Sequence, residues 1–323
     1  MSSKPLTIVY FGTAEFAVPA LRALLTDSSG QFRVAAVVTQ PDRPFGRDGV
    51  MKRSPVGDVA TLADIPLLQM VSLKDPQAVD VLRRLEADFF IVAAYGLIIP
   101  QAVLDIPRLG CLNLHGSILP RLRGASPIQE AIRIGDTETG VTLMRMDAQV
   151  DHGGTYAVAK VAIAADDTYT TLEKKLGEAS VGLLIDSLPK IANGSLQAQE
   201  QDHASATFTK LIAKDDGRIA WGEVTAAAIE RLRRAYTPWP GIYTVWNKNG
   251  MAMRVKLLDV GVVAAGDGVV AGTVFMNGTD VCVKAQEGTV QLISVQPEGK
   301  SVMSAKAFVQ GNKEFVGAVL GLA

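Results

Sequence analysis

The sequence predicts an α/β fold: a Rossmann-like, mostly parallel sheet with flanking helices, followed by a small C-terminal OB-like β-barrel domain. Three observations carry that expectation. Compact apolar runs at 6–11, 34–39, 89–94 and 111–115 alternate with stretches of helical period, the pattern of a parallel sheet covered on both faces. After residue 242 the pattern changes to five short β-rich runs with glycines between them, as in small barrels. Between the two patterns, 193–205 is polar with no apolar period, which marks a linker. The expected division is a first domain over 1–192, a linker over 193–206 and a barrel domain over 207–323.

The first apolar run ends at Gly12, and the stretch 14–26 carries leucines at 21, 24 and 25, so the chain opens as strand, tight turn and helix. Thr13 and Ala14 follow Gly12, so the glycine-rich dinucleotide fingerprint is absent, as is a Walker A lysine. The strand at 34–39 leads into a segment from Gln40 to Pro55 rich in Pro, Gly and charge, a kind of loop more often functional than structural. Helices are expected at 56–63 and 76–85, a strand at 89–94, the strand at 111–115 and a helix at 127–134. Residues 140–146 and 156–163 read as a hairpin with Asp151 and His152 at its tip, and 171–192 as a long helix. In the second domain 223–236 is helical and Thr237-Pro-Trp-Pro-Gly241 is a rigid turn. Strands follow at 243–246, 254–260, 269–275, 280–284 and 291–295.

The strand at 111–115 is central, and ligands of open α/β sheets sit at the carboxyl ends of such strands. Its period of two puts Asn113 and His115 on one face and Leu112 and Leu114 on the other. An amide and an imidazole one residue apart can both reach a single small group. Gly116 then turns the chain, so that Ser117, Ile118, Leu119 and Pro120 form a rim beside them. Such a site suits acyl chemistry on a carbonyl; the alternative is a strand end whose polar residues satisfy local backbone.

At 323 residues with 48% apolar side chains, the chain can bury a sizeable core as two domains or one large one. A net charge of −1 argues against a strongly basic nucleic-acid binder. The thirteen Lys and Arg against ten Asp and Glu from Phe208 onward are compatible with phosphate contacts there, and equally with solvated surface. The longest apolar stretch, 89–100, is too short for a membrane span and the first run too short for a signal peptide, so a cytoplasmic protein is expected. Cys111 and Cys282 are expected to be reduced thiols, with a catalytic Cys111 left open because it shares the parity of Asn113. The three histidines are not spaced as zinc ligands, and no metal is expected.

The run Asn113-Leu-His115-Gly-Ser-Ile-Leu-Pro120, with Asp151 downstream, resembles the active-site pattern of the folate-dependent formyltransferases. Phe11-Gly-Thr13, Tyr95-Gly96, Pro120-Arg-Leu-Arg-Gly124 and Pro127-Ile-Gln129 extend the resemblance through most of the chain. Within that superfamily the segment Thr39 to Arg47, the Pro238-Trp-Pro240 turn and the barrel are similar to the methionyl-tRNA formyltransferase family. The resemblance implies formyl transfer from 10-formyltetrahydrofolate, as cosubstrate, to the α-amino group of methionyl initiator tRNA. It implies that Asn113 and protonated His115 hold the oxyanion, that Asp151 orients His115 and takes the amine's proton, and that Ser117, Ile118, Leu119 and Pro120 lie against the folate. It further implies that Arg43 and Arg47, assisted by Lys52 and Arg53, reach the acceptor stem, while the barrel contacts the tRNA flank. Neither a metal nor an obligate protein partner is implied.

Three departures stand out. Ala14 replaces a usual proline, Asp48, Val50 and Met51 make the arginine loop less basic, and His152 and Gly154 replace the commoner small hydroxyl and acidic residues beside Asp151. Two rival functions share parts of the pattern: a formyltransferase acting on an amino-sugar nucleotide or glycinamide ribonucleotide, and a catalytically silent tRNA-binding protein. The first has no need of the arginine loop or the barrel. The second has no use for the trio.

Overall fold

The computed structural model describes residues 4–45, 49–266 and 268–321. The chain groups into two compact units. The first comprises the residues up to Pro127, Thr137–Ile163 and Thr171–Lys210; the second comprises Ile128–Asp136, Ala164–Thr170 and the residues from Leu211 onward.

In the first unit the chain runs β1 (Leu6–Gly12), α1 (Val18–Thr26), β2 (Phe32–Thr39), β3 (Arg43–Phe45), β4 (Val50–Lys52), α2 (Pro55–Leu62), β5 (Leu67–Gln69), α3 (Pro76–Arg83) and β6 (Phe89–Ala93). It continues through α4 (Gln101–Leu104), β7 (Cys111–His115), β8 (Arg123–Gly124), α5 (Pro127–Ile134), which beyond Pro127 belongs to the second unit, β9 (Glu138–Arg145), β10 (Thr155–Ala162) and α6 (Tyr169–Ala192), whose first two residues also belong to the second unit. The main sheet has the order β10-β9-β7-β6-β1-β2-β5. Its strands are parallel from β7 to β5, and β9 and β10 add an antiparallel margin. The mostly parallel α/β class is borne out.

Strands β1 and β6 are apolar through their middles because they are covered on both faces, and β7 departs from this only at Asn113 and His115. On one face Val9, Phe11, Ala36, Val38, Phe90, Val92 and Cys111 pack with Leu82, Val103 and Leu104 from α3 and α4. Phe11 anchors this layer, its ring 5.1 Å from Phe90 and edge-on to Tyr95 at 5.5 Å. Local chemistry starts the helices: Ser54 accepts from Gly57 N–H ahead of α2, with Pro55 at its first position, and Asp75 does the same for α3 with Pro76.

Within 40–55, which the sequence presents as a loop, β3 pairs antiparallel with β4. The polar stretch 193–206 lies within the first unit rather than outside both units. Gln199 pairs with Thr155 through both backbone groups at 2.8 Å, and Gln201 is buried. Most of the stretch is exposed, and these two residues tie it to the unit.

A short β11 (Phe208–Thr209) lies at the end of the first unit, and the second unit then runs α7 (Ala226–Ala235), β12 (Ile242–Lys248), β13 (Met251–Val263), β14 (Val274–Asn277), β15 (Asp280–Lys284), β16 (Thr289–Pro297), β17 (Met303–Ser304) and α8 (Ala305–Gln310). The antiparallel order is β12-β13-β16-β15-β14, with β17 on β16, a curled half-barrel that agrees with the expected class. Strand β14 begins later than the sequence suggests, since Gly272 at φ +86° turns the chain first. Trp246, Phe308 and Phe315 form an edge-to-face triad with centroids 5.0–5.9 Å apart.

Buried Trp221 donates its Nε1–H to Thr244 Oγ1 at 2.9 Å. Thr244→Val keeps the shape but leaves that donor unsatisfied, so the second unit is expected to lose about 1–3 kcal/mol. All three tryptophans lie in this unit, so a lower urea midpoint by tryptophan fluorescence checks it.

Candidate active site

Strand β7 delivers two polar side chains past the end of an apolar layer. Cys111 is packed in the core, whereas Asn113 and His115, two and four residues on with the same parity, come out at the carboxyl end still 9% and 5% exposed. Cys111 donates to Met146 Sδ at 3.5 Å, and burial pushes its thiol far above the ordinary range, so it stays an inert thiol. The open question of a catalytic Cys111 is thereby closed by position. Among the described residues no group of three His, Cys, Asp or Glu side chains is arranged to hold a metal ion, and no helix is long and apolar enough to cross a membrane.

Asp151 reaches the pair from the β9–β10 loop. It does so because β9 lies antiparallel against β7, with Asn113 opposite Met144 and His115 opposite Thr142. Asn113 Nδ2 donates to Asp151 Oδ1 at 3.3 Å, and Gly124 N–H donates to Oδ2 at 2.8 Å. His115 Nδ1 lies 3.5 Å from the same Oδ2. The other ring nitrogen, Nε2, is 3.0 Å from the Leu122 carbonyl. A carbonyl only accepts, so Nε2 carries the hydrogen and Nδ1 is the ring atom that faces the carboxylate.

Two residues around this cluster hold left-handed backbone. Leu122 has φ +58° and Asp151 has φ +49°, conformations that cost a non-glycine residue free energy and cluster at functional sites. Each is pinned. Leu122 N–H donates to Thr207 Oγ1 at 2.8 Å, and the Asp151 carbonyl accepts from Gln201 Nε2 at 3.0 Å. Gly153 is required two residues on, since a Cβ there would collide with the Arg145 carbonyl.

The rim 117–120 is fastened to β9. Thr142 Oγ1 donates to the Ser117 carbonyl at 2.6 Å and accepts from Leu119 N–H at 3.1 Å, while Ser117 Oγ donates to the Arg121 carbonyl at 2.6 Å. The Leu119-Pro120 bond is cis. Ser117 and Leu119 are buried, and Ile118 and Pro120 are half-buried. A second set of motif residues converges on Tyr95, whose carbonyl accepts from Thr13 Oγ1 at 2.9 Å and from Gln40 Nε2 at 2.8 Å. Gly96 at φ +81° leaves room for that Gln40 amide.

The basic residues divide. Arg43 and Lys52 face each other in register across the exposed β3–β4 ribbon. Arg53 instead folds onto α2, donating to Thr61 Oγ1 at 2.9 Å, and Arg47 lies outside the described residues. Groups given no role from the sequence complete the cluster: the Leu122 carbonyl and Gly124 N–H, from a motif quoted only for its resemblance, and Thr142 and Gln201. Backbone groups carry no residue-type signal, and a lone Gln in a polar stretch carries little.

The arrangement can hold a developing oxyanion and move a proton. The family model described as "Formyl transferase" matches residues 6–188 and that described as "Formyl transferase, C-terminal domain" matches 211–313. Among solved structures, HypX from Aquifex aeolicus in complex with tetrahydrofolic acid superposes with TM-score 0.62 at 15% identity, over 97% of this chain and 48% of that one. The chain thus spans about half the length of HypX. WlaRD, a sugar 3N-formyl transferase, superposes with TM-score 0.60 at 16% identity over 93% of this chain and 100% of that one. These two share the fold. Curated relatives are nearer: a methionyl-tRNA formyltransferase of Pseudoalteromonas translucida is 39% identical, covering 99% of this chain and 98% of the relative. One of Pseudomonas syringae pv. tomato is 42% identical over 99% of each. With both family models matched in order and such identity over nearly the whole length, the chain belongs to the formyl transferase family and, within it, to the methionyl-tRNA formyltransferases.

Proposed function

We propose that this protein transfers the formyl group of 10-formyltetrahydrofolate to the α-amino group of methionine on initiator tRNA, in the cytoplasm, giving N-formylmethionyl-tRNA. The observation that carries the reading is the Asp151 carboxylate held against Asn113 and His115. The amine nitrogen attacks the formyl carbon, and the carbonyl oxygen becomes an oxyanion. Asn113 Nδ2 has two hydrogens and gives one to Asp151 at 3.3 Å, so the second is left for the oxyanion. His115 Nδ1–H is the other donor, since its 3.5 Å separation from Asp151 exceeds hydrogen-bond length. Asp151 balances the imidazolium and accepts the amine's proton through water. The bond from the formyl carbon to N10 breaks, and N10 takes up the proton released on the other side. Ser117, Ile118, Leu119 and Pro120, fixed beside His115, would bear on the folate.

The exposed Arg43 and Lys52 of the β3–β4 ribbon would meet tRNA phosphates, with Arg47 as a further contact. Arg53, turned onto α2, would support the ribbon from below. Arg43→Ala is expected to lower kcat/KM for charged tRNA by about tenfold or more, the scale of one charge-assisted hydrogen bond. It should flatten the salt slope of tRNA binding by about one unit and leave slow formyl-folate hydrolysis intact. Equal loss of both activities would remove the ribbon from tRNA recognition.

The test of the function is transfer from labelled 10-formyltetrahydrofolate, with methionyl initiator tRNA, free methionine and amino-sugar nucleotides offered in parallel. Label on the tRNA alone establishes the reading. Label on a small amine overturns the acceptor, and no label anywhere overturns the activity.

A further inference from the structure

Arg123 is a buried cation, 3% exposed, one residue beyond the Leu122 carbonyl that orients His115. Its Nε and Nη2 donate to Gln201 Oε1 at 3.2 and 2.7 Å, and Nη2 also donates to His203 Nδ1 at 2.8 Å. Its guanidinium carbon lies 6.0 Å from the Phe208 ring centroid. Among the described residues, both hydrogen-bond acceptors of this side chain are neutral groups.

The guanidinium fixes the Gln201 amide, because Oε1 has to face it. Nε2 therefore points the other way, and its two hydrogens go to the carbonyls of Asp151 at 3.0 Å and Gly153 at 2.7 Å. The turn bearing the catalytic carboxylate is thus held from the 193–206 stretch by one amide. His203 accepts at Nδ1, so its hydrogen is on Nε2, where it donates to Glu200 Oε1 at 2.8 Å. Its ring lies flat on His152, with centroids 4.1 Å apart and planes within 2°. His152 in turn donates from Nδ1 to Asp147 Oδ2 at 2.7 Å.

We propose that Gln201, clamped by Arg123, is the positioning residue that fixes the Asp151 turn, and that the Nδ1 lone pair of His203, in the His152–His203 stack, keeps this clamp closed until a proton takes it. This rests on the reading of Asp151 as the proton acceptor. A proton taken up at His203 Nδ1 turns the acceptor of Arg123 into a donor aimed at a cation. The groups facing His203 are Arg123 and the His152 ring, which oppose that proton, and Glu200 and the adjacent Asp202, which favour it. Facing His152 are Asp147 and the His203 ring, with Asp151 next in the chain. When both rings are charged, two stacked cations repel at the distance of a ring contact. The Arg123 guanidinium then leaves Gln201, and the Asp151 turn loses its hold.

The test uses the full-length protein and two variants. Gln201→Glu keeps an acceptor for Arg123 but sets an oxygen against the two carbonyls. It should lower kcat about 10- to 100-fold, the scale of a small misplacement of a reacting group, with KM for tRNA and folate little changed. Exchange of the Gly124 amide hydrogen, which Asp151 accepts, should quicken while that of Val141 in β9 stays put. His203→Gln keeps an acceptor that cannot take a proton. Normalised to its own plateau, its kcat profile should lose one proton's steepness on the acid limb.

Parental kcat and Gly124 protection in Gln201→Glu overturn the clamp, and an unchanged acid limb in His203→Gln overturns the stack. If Gln201→Glu prevents folding, the exposed His203→Gln variant decides alone, through its acid limb and the pH dependence of Gly124 exchange. Should the unmodified protein form no product on any acceptor, the function fails. Gly124 exchange in the two variants still upholds or overturns the positioning.

Discussion

Asp151→Asn lowers kcat for formyl transfer by about 10² to 10⁴, the range for a positioned acid or base, and leaves the fold intact. The substitution is isosteric, and one side-chain oxygen still accepts from Gly124 N–H, the 2.8 Å contact that anchors the carboxylate. What goes is the charge. His115 Nε2 donates to the Leu122 carbonyl, so the second proton of the imidazolium, on Nδ1, has only Asp151 to balance it. An amide offers no such balance and cannot take the amine's proton. Single-turnover transfer with saturating tRNA and folate isolates this chemical step. A kcat within threefold of the parent would strip Asp151 of its role.

Asn113→Ala is expected to cost about 10² to 10³ in kcat, as for the loss of one oxyanion donor. The side chain is 9% exposed and its amide already gives one hydrogen to Asp151 at 3.3 Å, so truncation removes both a donor and a restraint on the carboxylate. Tetrahydrofolate binding should change little, because uniform binding and transition-state binding separate in kcat. Equilibrium binding of tetrahydrofolate alongside single-turnover transfer reads the split. A loss confined to binding would make Asn113 a substrate contact and nothing more.

The strand and its parity were legible because β7 is a five-residue alternation bounded by Gly110 and Gly116, and α5 because Pro127 opens it. Strand β5 and helix α4 span three and four residues, too few to develop a period, and went unpredicted. Pro44 disguised the β3–β4 ribbon, since proline argues against a strand except at an edge. At the site, the shared face of Asn113 and His115 follows from period alone, and their reading as a site from resemblance. Asp151 was found through resemblance, because its arrival depends on β9 pairing back onto β7, a long-range choice no local pattern encodes. Gln201 was hidden for the opposite reason: buried polar residues that serve backbone carbonyls sit in stretches indistinguishable from solvated ones.

The antiparallel β7–β9 pairing also has a consequence during synthesis. A ribosome that has released the chain as far as Gly116 has supplied β7 with its parallel neighbour β6 but not with β9. For the next thirty or so codons, at roughly 5–20 residues per second, Cys-Leu-Asn-Leu-His is an open, unpaired edge whose residues are all buried in the finished protein. Such an edge is the surface on which chains stick to one another. A pause in translation between α5 and β9 would lengthen that exposure, so slow codons there should lower soluble yield more than the same codons placed after β10.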